Sequence, residues 1–177
     1  MNASIRNIAY HLPERIVTNE ELAQQNPSWD MALIESTTGV AERRFAAPGE
    51  TALDLAYQAC LKLFQANPEA KQRVDGVVFC THSGDYVMPP NACVLHEWLG
   101  LSENVYAVDI NLACSGYVYG LAMVKGLIAA GIASSVLLIN GDTYSRYVHL
   151  HDRATAPLFG DGAAVTLIEA TESSPGI

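Results

Sequence analysis

Basic side chains are scarce in this sequence: ten Lys and Arg stand against nineteen Asp and Glu, for a formal charge of −9. Binding to nucleic-acid phosphates needs the opposite imbalance, so nucleic acid drops out as a partner. An anionic membrane surface gains nothing from such a chain either. The largest basic cluster is the pair Arg43-Arg44. Long apolar runs are missing too. The best stretch, 115–133, is interrupted by Lys125 and several small or polar residues, whereas a membrane span needs roughly 20 apolar residues in succession. The opening MNASIRNIAY lacks the basic-then-apolar pattern of a secretory leader. We expect a soluble, cytoplasmic protein with no membrane partner.

Cysteine is thinly spread as well. Cys60, Cys80, Cys93 and Cys114 lie 20, 13 and 21 residues apart. That spacing has neither the close pairs of a zinc site nor the density of a disulfide scaffold. Four reduced thiols are expected, and a free cysteine is by habit a core residue. Charged residues are only 16% of the sequence while apolar ones reach 50%, which argues against disorder and for a substantial core. A chain of this size can form one domain that buries roughly 70% of its extended surface.

What is present alternates in character along the chain. Residues 4–9 predict a first strand. Thr18 and Glu21 have capping-box spacing, so a short helix begins there, and Ser28 is placed to cap a second that ends near Gly39. The clearest helix follows Thr51, with Asp54 at the reciprocal capping position. Ala52, Leu55, Ala56, Ala59, Cys60, Leu63 and Phe64 recur there at helical spacing, which reads Cys60 as core. VDGVVFC at 74–80, VYAVDI at 105–110 and SVLLIN at 135–140 are compact apolar strands. ACVLHEWLG reads as a short helix and 163–169 as the last strand. The alternation argues for a layered α/β domain whose central strands are covered on both faces. A helix from Cys114 to about Ala130 carries one charge, Lys125, and is expected deep between layers.

Cys114 falls in DINLACSGYVYGLAM, residues 109–123, where a strand gives way through a short turn to that helix. Amides at a helix start are unpaired and attract an anion. They favour thiolate over thiol and can receive the oxyanion of a thioester tetrahedral intermediate. Ala113, Ser115 and Gly116 keep the junction narrow enough for a thioester arm to approach. The mechanics are those of a nucleophile elbow without its Gly-x-Ser-x-Gly pattern. A buried structural cysteine satisfies the same spacing, so these residues alone leave both roles open.

Further stretches narrow the choice: LPERIVTNEEL at 12–22, TGVAERRFAAPGET at 38–51, MPPNAC at 88–93, DINLACSGYVYGL at 109–121 and FGDGAAVTLIEA at 159–170. In that order, and over essentially the whole chain, they resemble the amino-terminal half of the type III 3-oxoacyl-acyl-carrier-protein synthase family of thiolase-like condensing enzymes. The resemblance implies an α/β thiolase-like fold in which residues 1–177 form one layered half, with a mixed central sheet and a buried helix, and the carboxy-terminal half is absent. It implies an acyltransferase whose nucleophile is Cys114, taking an acyl group from coenzyme A or an acyl-carrier protein. A malonyl thioester then loses carbon dioxide, and the carbanion attacks the acyl-Cys carbonyl. The covalent intermediate splits one difficult transfer into two easier ones. Acyl-CoA and malonyl-acyl-carrier protein are the implied substrates, with no further cofactor.

Gly160, Asp161 and Gly162 match the family's turn beside the active site. Glycines there permit close backbone approach, and Asp161 can tie the turn by hydrogen bonds, as a support and not as a proton carrier. Judged without the resemblance, a plain turn before a strand fits these residues equally well. Met88 stands where the family places an apolar side chain that reaches the acyl pocket of a partner subunit, with local core packing as the alternative. A homodimer is implied, or a complementary carboxy-terminal half on another chain.

Two departures bear on substrate. The family's Arg-Thr-Gly-Ile-Arg pattern appears here as Thr37-Thr38-Gly39-Val40-Ala41, so arginines associated with coenzyme A or carrier recognition are missing at those positions. Trp29 is out of register with the family's adenine-stacking tryptophan, and Arg43 and Arg44 read as solvated surface cations. These differences shift weight from fatty-acid initiation toward secondary metabolism, including acyl transfer to a hydroxyl or an amine. The family's catalytic histidine and asparagine come from the carboxy-terminal half. His149 and His151 do not match that histidine and read as loop or surface residues, and His11, His82 and His96 belong to no motif. The chain alone is expected to accept an acyl group at Cys114 without completing condensation. A non-catalytic thiolase-like subunit is the remaining reading.

Overall fold

The computed structural model describes residues 1–172 and 176–177. Strand β1 (Asn2–His11) is followed by β2 (Arg15–Thr18), helices α1 (Asn19–Gln25) and α2 (Met31–Thr38), and β3 (Glu42–Phe45). Then come α3 (Ala52–Ala66), the single turn α4 (Ala70–Arg73), β4 (Gly76–Cys80), α5 (Asn91–Trp98) and β5 (Tyr106–Ile110). Helix α6 (Gly116–Ala129), β6 (Ser135–Asp142) and β7 (Gly162–Thr171) complete the order.

The main sheet runs β1-β7-β6-β4-β5. Strands β5, β4 and β6 are parallel, while β7 is antiparallel to β6 and β1 to β7. The sheet is therefore mixed, as expected of a thiolase-like α/β fold. Strand side chains alternate between faces, and a strand covered on both sides reads as one apolar run. Val77 and Phe79 join Leu137, Ile139, Val165 and Leu167 in a core with residues of α3 and α5. Val78, with Val136, Leu138 and Ile168, packs on the other face against Val124, Leu127 and Ile128 of α6.

Helix α3 forms as its pattern predicts. Thr51 and Asp54 cap it reciprocally, and Cys60 lies on its buried stripe. Burial pushes the Cys60 thiol far above its ordinary pKa. Helix α2 begins later than Ser28 suggests: Asp30 Oδ1 accepts from Leu33 N at 2.9 Å, and an aspartate at that position is as strong a cap as serine. Gly39 closes α2 at φ 75°, a left-handed turn that glycine makes without steric cost.

The small antiparallel sheet of β2 and β3 is not legible in their short, charged segments. It overturns the surface placement of Arg43. That side chain is 5% exposed and donates to Val17 O at 3.0 Å, Asn19 Oδ1 at 2.6 Å and Pro157 O at 3.0 Å. The acceptors offset part of the desolvation of the guanidinium, while burial still lowers its pKa.

Helix α6 sits tightly on the sheet. A Cβ on Gly116 would fall 2.2 Å from Cys80 Sγ, and one on Gly120 would fall 2.6 Å from Leu138 Cδ1. Its sheet-facing side is buried, but Val118, Tyr119 and Met123 are exposed on the other. The helix thus packs deeply on one face, and its opposite face is apolar and open. Among the described residues, no helix is long and apolar enough to cross a membrane.

Candidate active site

The parallel strands end together: Cys80 pairs with Ile110 of β5 and with Asn140 of β6. The segments that follow them therefore converge just beyond the carboxyl ends of the strands, where open α/β sheets form ligand crevices. A pocket of about 690 Å³ opens there, with Cys114, His82, Asn140, Asp142, Tyr144 and Phe159 in its walls.

Cys114 is exposed and lies two positions before α6, with Ser115 between. Gly116 N donates to Ala113 O at 2.8 Å, which closes the turn, and Tyr119 N donates to Ser115 O at 3.1 Å. Ser115 occupies the N-cap but its side chain makes no capping hydrogen bond. The first-turn amides are thus not quenched by a side-chain acceptor. Beneath this turn, Cys80 Sγ donates to Leu112 O at 3.3 Å, and burial pushes its thiol pKa upward. One turn of chain therefore separates two sulfurs of opposite character, Cys80 enclosed and Cys114 open.

Gly160 and Gly162 line the same pocket. A Cβ on Gly160 would fall 2.9 Å from Arg44 O, a close backbone approach, and one on Gly162 would meet the side-chain tip of Leu12 at 2.8 Å. Asp161 between them is 4% exposed. Its carboxylate accepts from Ala46 N at 2.7 Å, Ser145 N at 2.8 Å and Ser145 Oγ at 2.5 Å, and its own amide donates to Arg44 O at 2.8 Å. Asp161 joins the end of β3 to the segment after β6 behind the pocket.

Met88 lies elsewhere. It is 83% exposed, beside exposed Tyr86 and Val87, and it does not line the Cys114 pocket within this chain. His149 and His151 are also outside the pocket; His151 Nδ1 lies 2.7 Å from Asn26 Oδ1.

His82 has no motif in the sequence, yet it lines the pocket. The available signal is positional: Thr81-His82-Ser83 directly follows β4, and Gly141-Asp142 ends β6, its parallel neighbour. Asp142 Oδ1 accepts from Thr81 Oγ1 at 2.9 Å, His82 N at 3.0 Å, Ser83 N at 3.1 Å and Ser83 Oγ at 2.8 Å. Its Oδ2 lies 3.1 Å from His82 Nδ1, though the pair is not aligned as a hydrogen bond. The His82 ring meets Tyr144 edge-on at 4.7 Å, and Tyr144 meets Phe159 at 4.8 Å.

Known proteins share this sequence and this fold. Residues 108–177 match the family model of 3-oxoacyl-[acyl-carrier-protein (ACP)] synthase III. A beta-ketoacyl-[acyl-carrier-protein] synthase III of Fusobacterium nucleatum is 35% identical over 175 residues, covering 97% of this chain and 52% of that protein. A solved 3-oxoacyl-(acyl-carrier-protein) synthase III is 48% identical with a TM-score of 0.95, covering 99% of this chain and 52% of that one. The 3-oxoacyl-(acyl-carrier protein) synthase of Burkholderia xenovorans is 32% identical with a TM-score of 0.93, covering 98% and 50%. The chain spans about half the length of the curated relatives it matches. By these identities and this shared fold, the chain belongs to the type III 3-oxoacyl-acyl-carrier-protein synthase family of thiolase-like condensing enzymes.

Proposed function

We propose that residues 1–177 form the Cys114-bearing, amino-terminal half of a condensing acyltransferase. The observation that carries this reading is an exposed cysteine at an uncapped helix start, in the wall of a pocket that can hold an acyl chain. Cys114 sulfur attacks the carbonyl of an acyl-CoA or acyl-carrier-protein thioester. The oxyanion is received by amides at the start of α6. The carbonyl re-forms, the carrier thiolate leaves and takes up the proton given by the Cys114 thiol, and acyl-Cys114 remains. A malonyl thioester next loses carbon dioxide, its carbanion attacks the acyl carbonyl, and Cys114 departs as thiolate when the carbon-carbon bond forms.

The groups that assist decarboxylation are assigned to the part of the relatives' length that this chain does not span. The open apolar face of α6, with Ile8 and Tyr10 exposed on β1, supports a covering polypeptide of that kind. Tyr86, Val87 and Met88 are assigned to the contact with a second copy, where Met88 reaches the partner's acyl pocket. Asp161 is assigned a supporting role, holding Gly160 and Gly162 in the wall. An acidic chain offers little to an acidic carrier, so the carrier-facing basic surface also falls to the remaining polypeptide. A cytoplasmic location fits the thioester substrates.

The test uses acyl-CoA and malonyl-acyl-carrier protein. Intact-mass spectrometry should find one acyl group on Cys114, and Cys114→Ala should remove it. With the completing polypeptide present, carbon dioxide and a β-keto thioester should appear. Products carrying ester or amide bonds would instead identify a hydroxyl or amine acceptor, and normal turnover by residues 1–177 alone would overturn the division of labour.

A further inference from the structure

We propose that His82 selects acyl groups that carry a hydroxyl on their chain. The inference rests on the reading of Cys114 as the acyl acceptor and specifies what that site accepts. The pocket next to Cys114 has apolar walls from Ile8, Tyr117, Phe159 and Ala164, and its polar side chains, His82, Asn140, Asp142 and Thr166, are the exceptions. A pocket meant for a plain alkyl chain needs nothing more, and an imidazole in such a place loses water without gaining a partner.

Here the imidazole is confined between a fixed carboxylate and an aromatic ring. Asp142 Oδ1 is committed to four donors from Thr81, His82 and Ser83, which fixes the carboxylate. Its other oxygen lies 3.1 Å from His82 Nδ1, and Nδ1 is sealed from solvent. The imidazole torsion is soft enough to bring the two into line. In the neutral imidazole with its proton on Nδ1, the nitrogen facing Asp142, the Nε2 lone pair is an acceptor. Nε2 retains accessible surface and makes no hydrogen bond to a described residue. Tyr144 packs against the ring at 61° and is itself backed by Phe159, so the imidazole is not free to turn away.

An acceptor in that position recognises a donor. A hydroxyl on the acyl chain can give its proton to Nε2. A ketone at the same carbon has none to give, and an alkyl chain of the same length leaves Nε2 unpaired once water is displaced. The site therefore separates three acyl groups that differ by two hydrogens or one oxygen.

The experiment measures the rate of acyl-Cys114 formation in the full-length protein by intact-mass spectrometry. The donors are 3-hydroxybutyryl-, 4-hydroxybutyryl-, acetoacetyl- and butyryl-CoA, tested on wild type, His82→Leu and His82→Gln. In wild type, one of the hydroxyacyl donors should exceed butyryl-CoA by about three- to tenfold, the value of one hydrogen bond, while acetoacetyl-CoA should not. His82→Leu should lose that preference. His82→Gln, whose amide oxygen can accept, should keep part of it and guards against a folding defect in the leucine variant. An unchanged hydroxyacyl-to-butyryl ratio in His82→Leu, or equal rates for the hydroxy and keto donors, overturns the inference. Acylation elsewhere, with Cys114 unmodified by every donor, overturns the acyl-acceptor reading itself.

Discussion

Cys80 and Cys114 show how far one turn of chain separates two identical side chains. Cys114 is open to solvent, whereas Cys60 and Cys80 are buried and burial raises both of their pKa values. Iodoacetamide should therefore modify Cys114 first, with Cys60 and Cys80 reacting only after denaturation, as peptide mass spectrometry can resolve. The same shifts predict a pH effect on stability. An unfolded thiol ionises near pH 8.5, while the buried pair stays protonated to higher pH. Their contribution to stability is complete below about pH 8.5 and declines as pH rises toward their folded values. Thermal melts should fall over that range, and less steeply for Cys60→Ala. Asp161→Ala leaves Ala46 N, Ser145 N and Ser145 Oγ without their acceptor and should cost about 1–3 kcal/mol in denaturant titration. At this scale the sequence disclosed which cysteine follows a strand end, but not that Arg43 turns inward. Nothing in ERRF announces the carbonyls of Val17 and Pro157, which come from distant segments.

Among the elements, α6 is governed by the close approach of Gly116 to Cys80. A methyl group at residue 116 has no room, so Gly116→Ala should push the start of the helix and Cys114 outward. The expected cost is about 1–3 kcal/mol, with slower acylation of Cys114. Cys80→Ala in the same chain should recover part of both losses, and a double-mutant cycle measures that coupling. Helix α3 offers a simpler case: Thr51→Ala removes its capping box and should cost about 1 kcal/mol. The long elements were legible because ten or more residues repeat one pattern, as in the buried stripe from Ala52 to Phe64. The four-residue strands β2 and β3 were not, since RIVT and ERRF are too short and too charged to display a period. The cap of α2 was misplaced by two residues because Ser28 and Asp30 are both good caps, and only backbone geometry selects between them.

For the molecule as a whole, alternating strands and helices were enough to indicate the layered architecture. The pocket was less accessible to sequence reasoning, because His82, Asp142 and Tyr144 come from different connections and meet only when β4 and β6 pair in parallel. The open face of α6 leads to a prediction at this scale. Val118→Asp places a charge where this chain makes no core contact, so its own unfolding free energy should change by no more than about 0.5 kcal/mol. Association with a polypeptide covering this face, as proposed above, should nevertheless fail, as size-exclusion chromatography of the mixture would show.

Strand β1 pairs with β7 from Asn2 opposite Thr171 to His11 opposite Ala163. Translation must pass Ala163 before the first strand can find its neighbour. Non-local pairing of this kind folds slowly and leaves unmatched strand edges exposed in the meantime. Yield in cells is therefore expected to follow chaperone supply during translation more closely than the melting temperature of the finished protein.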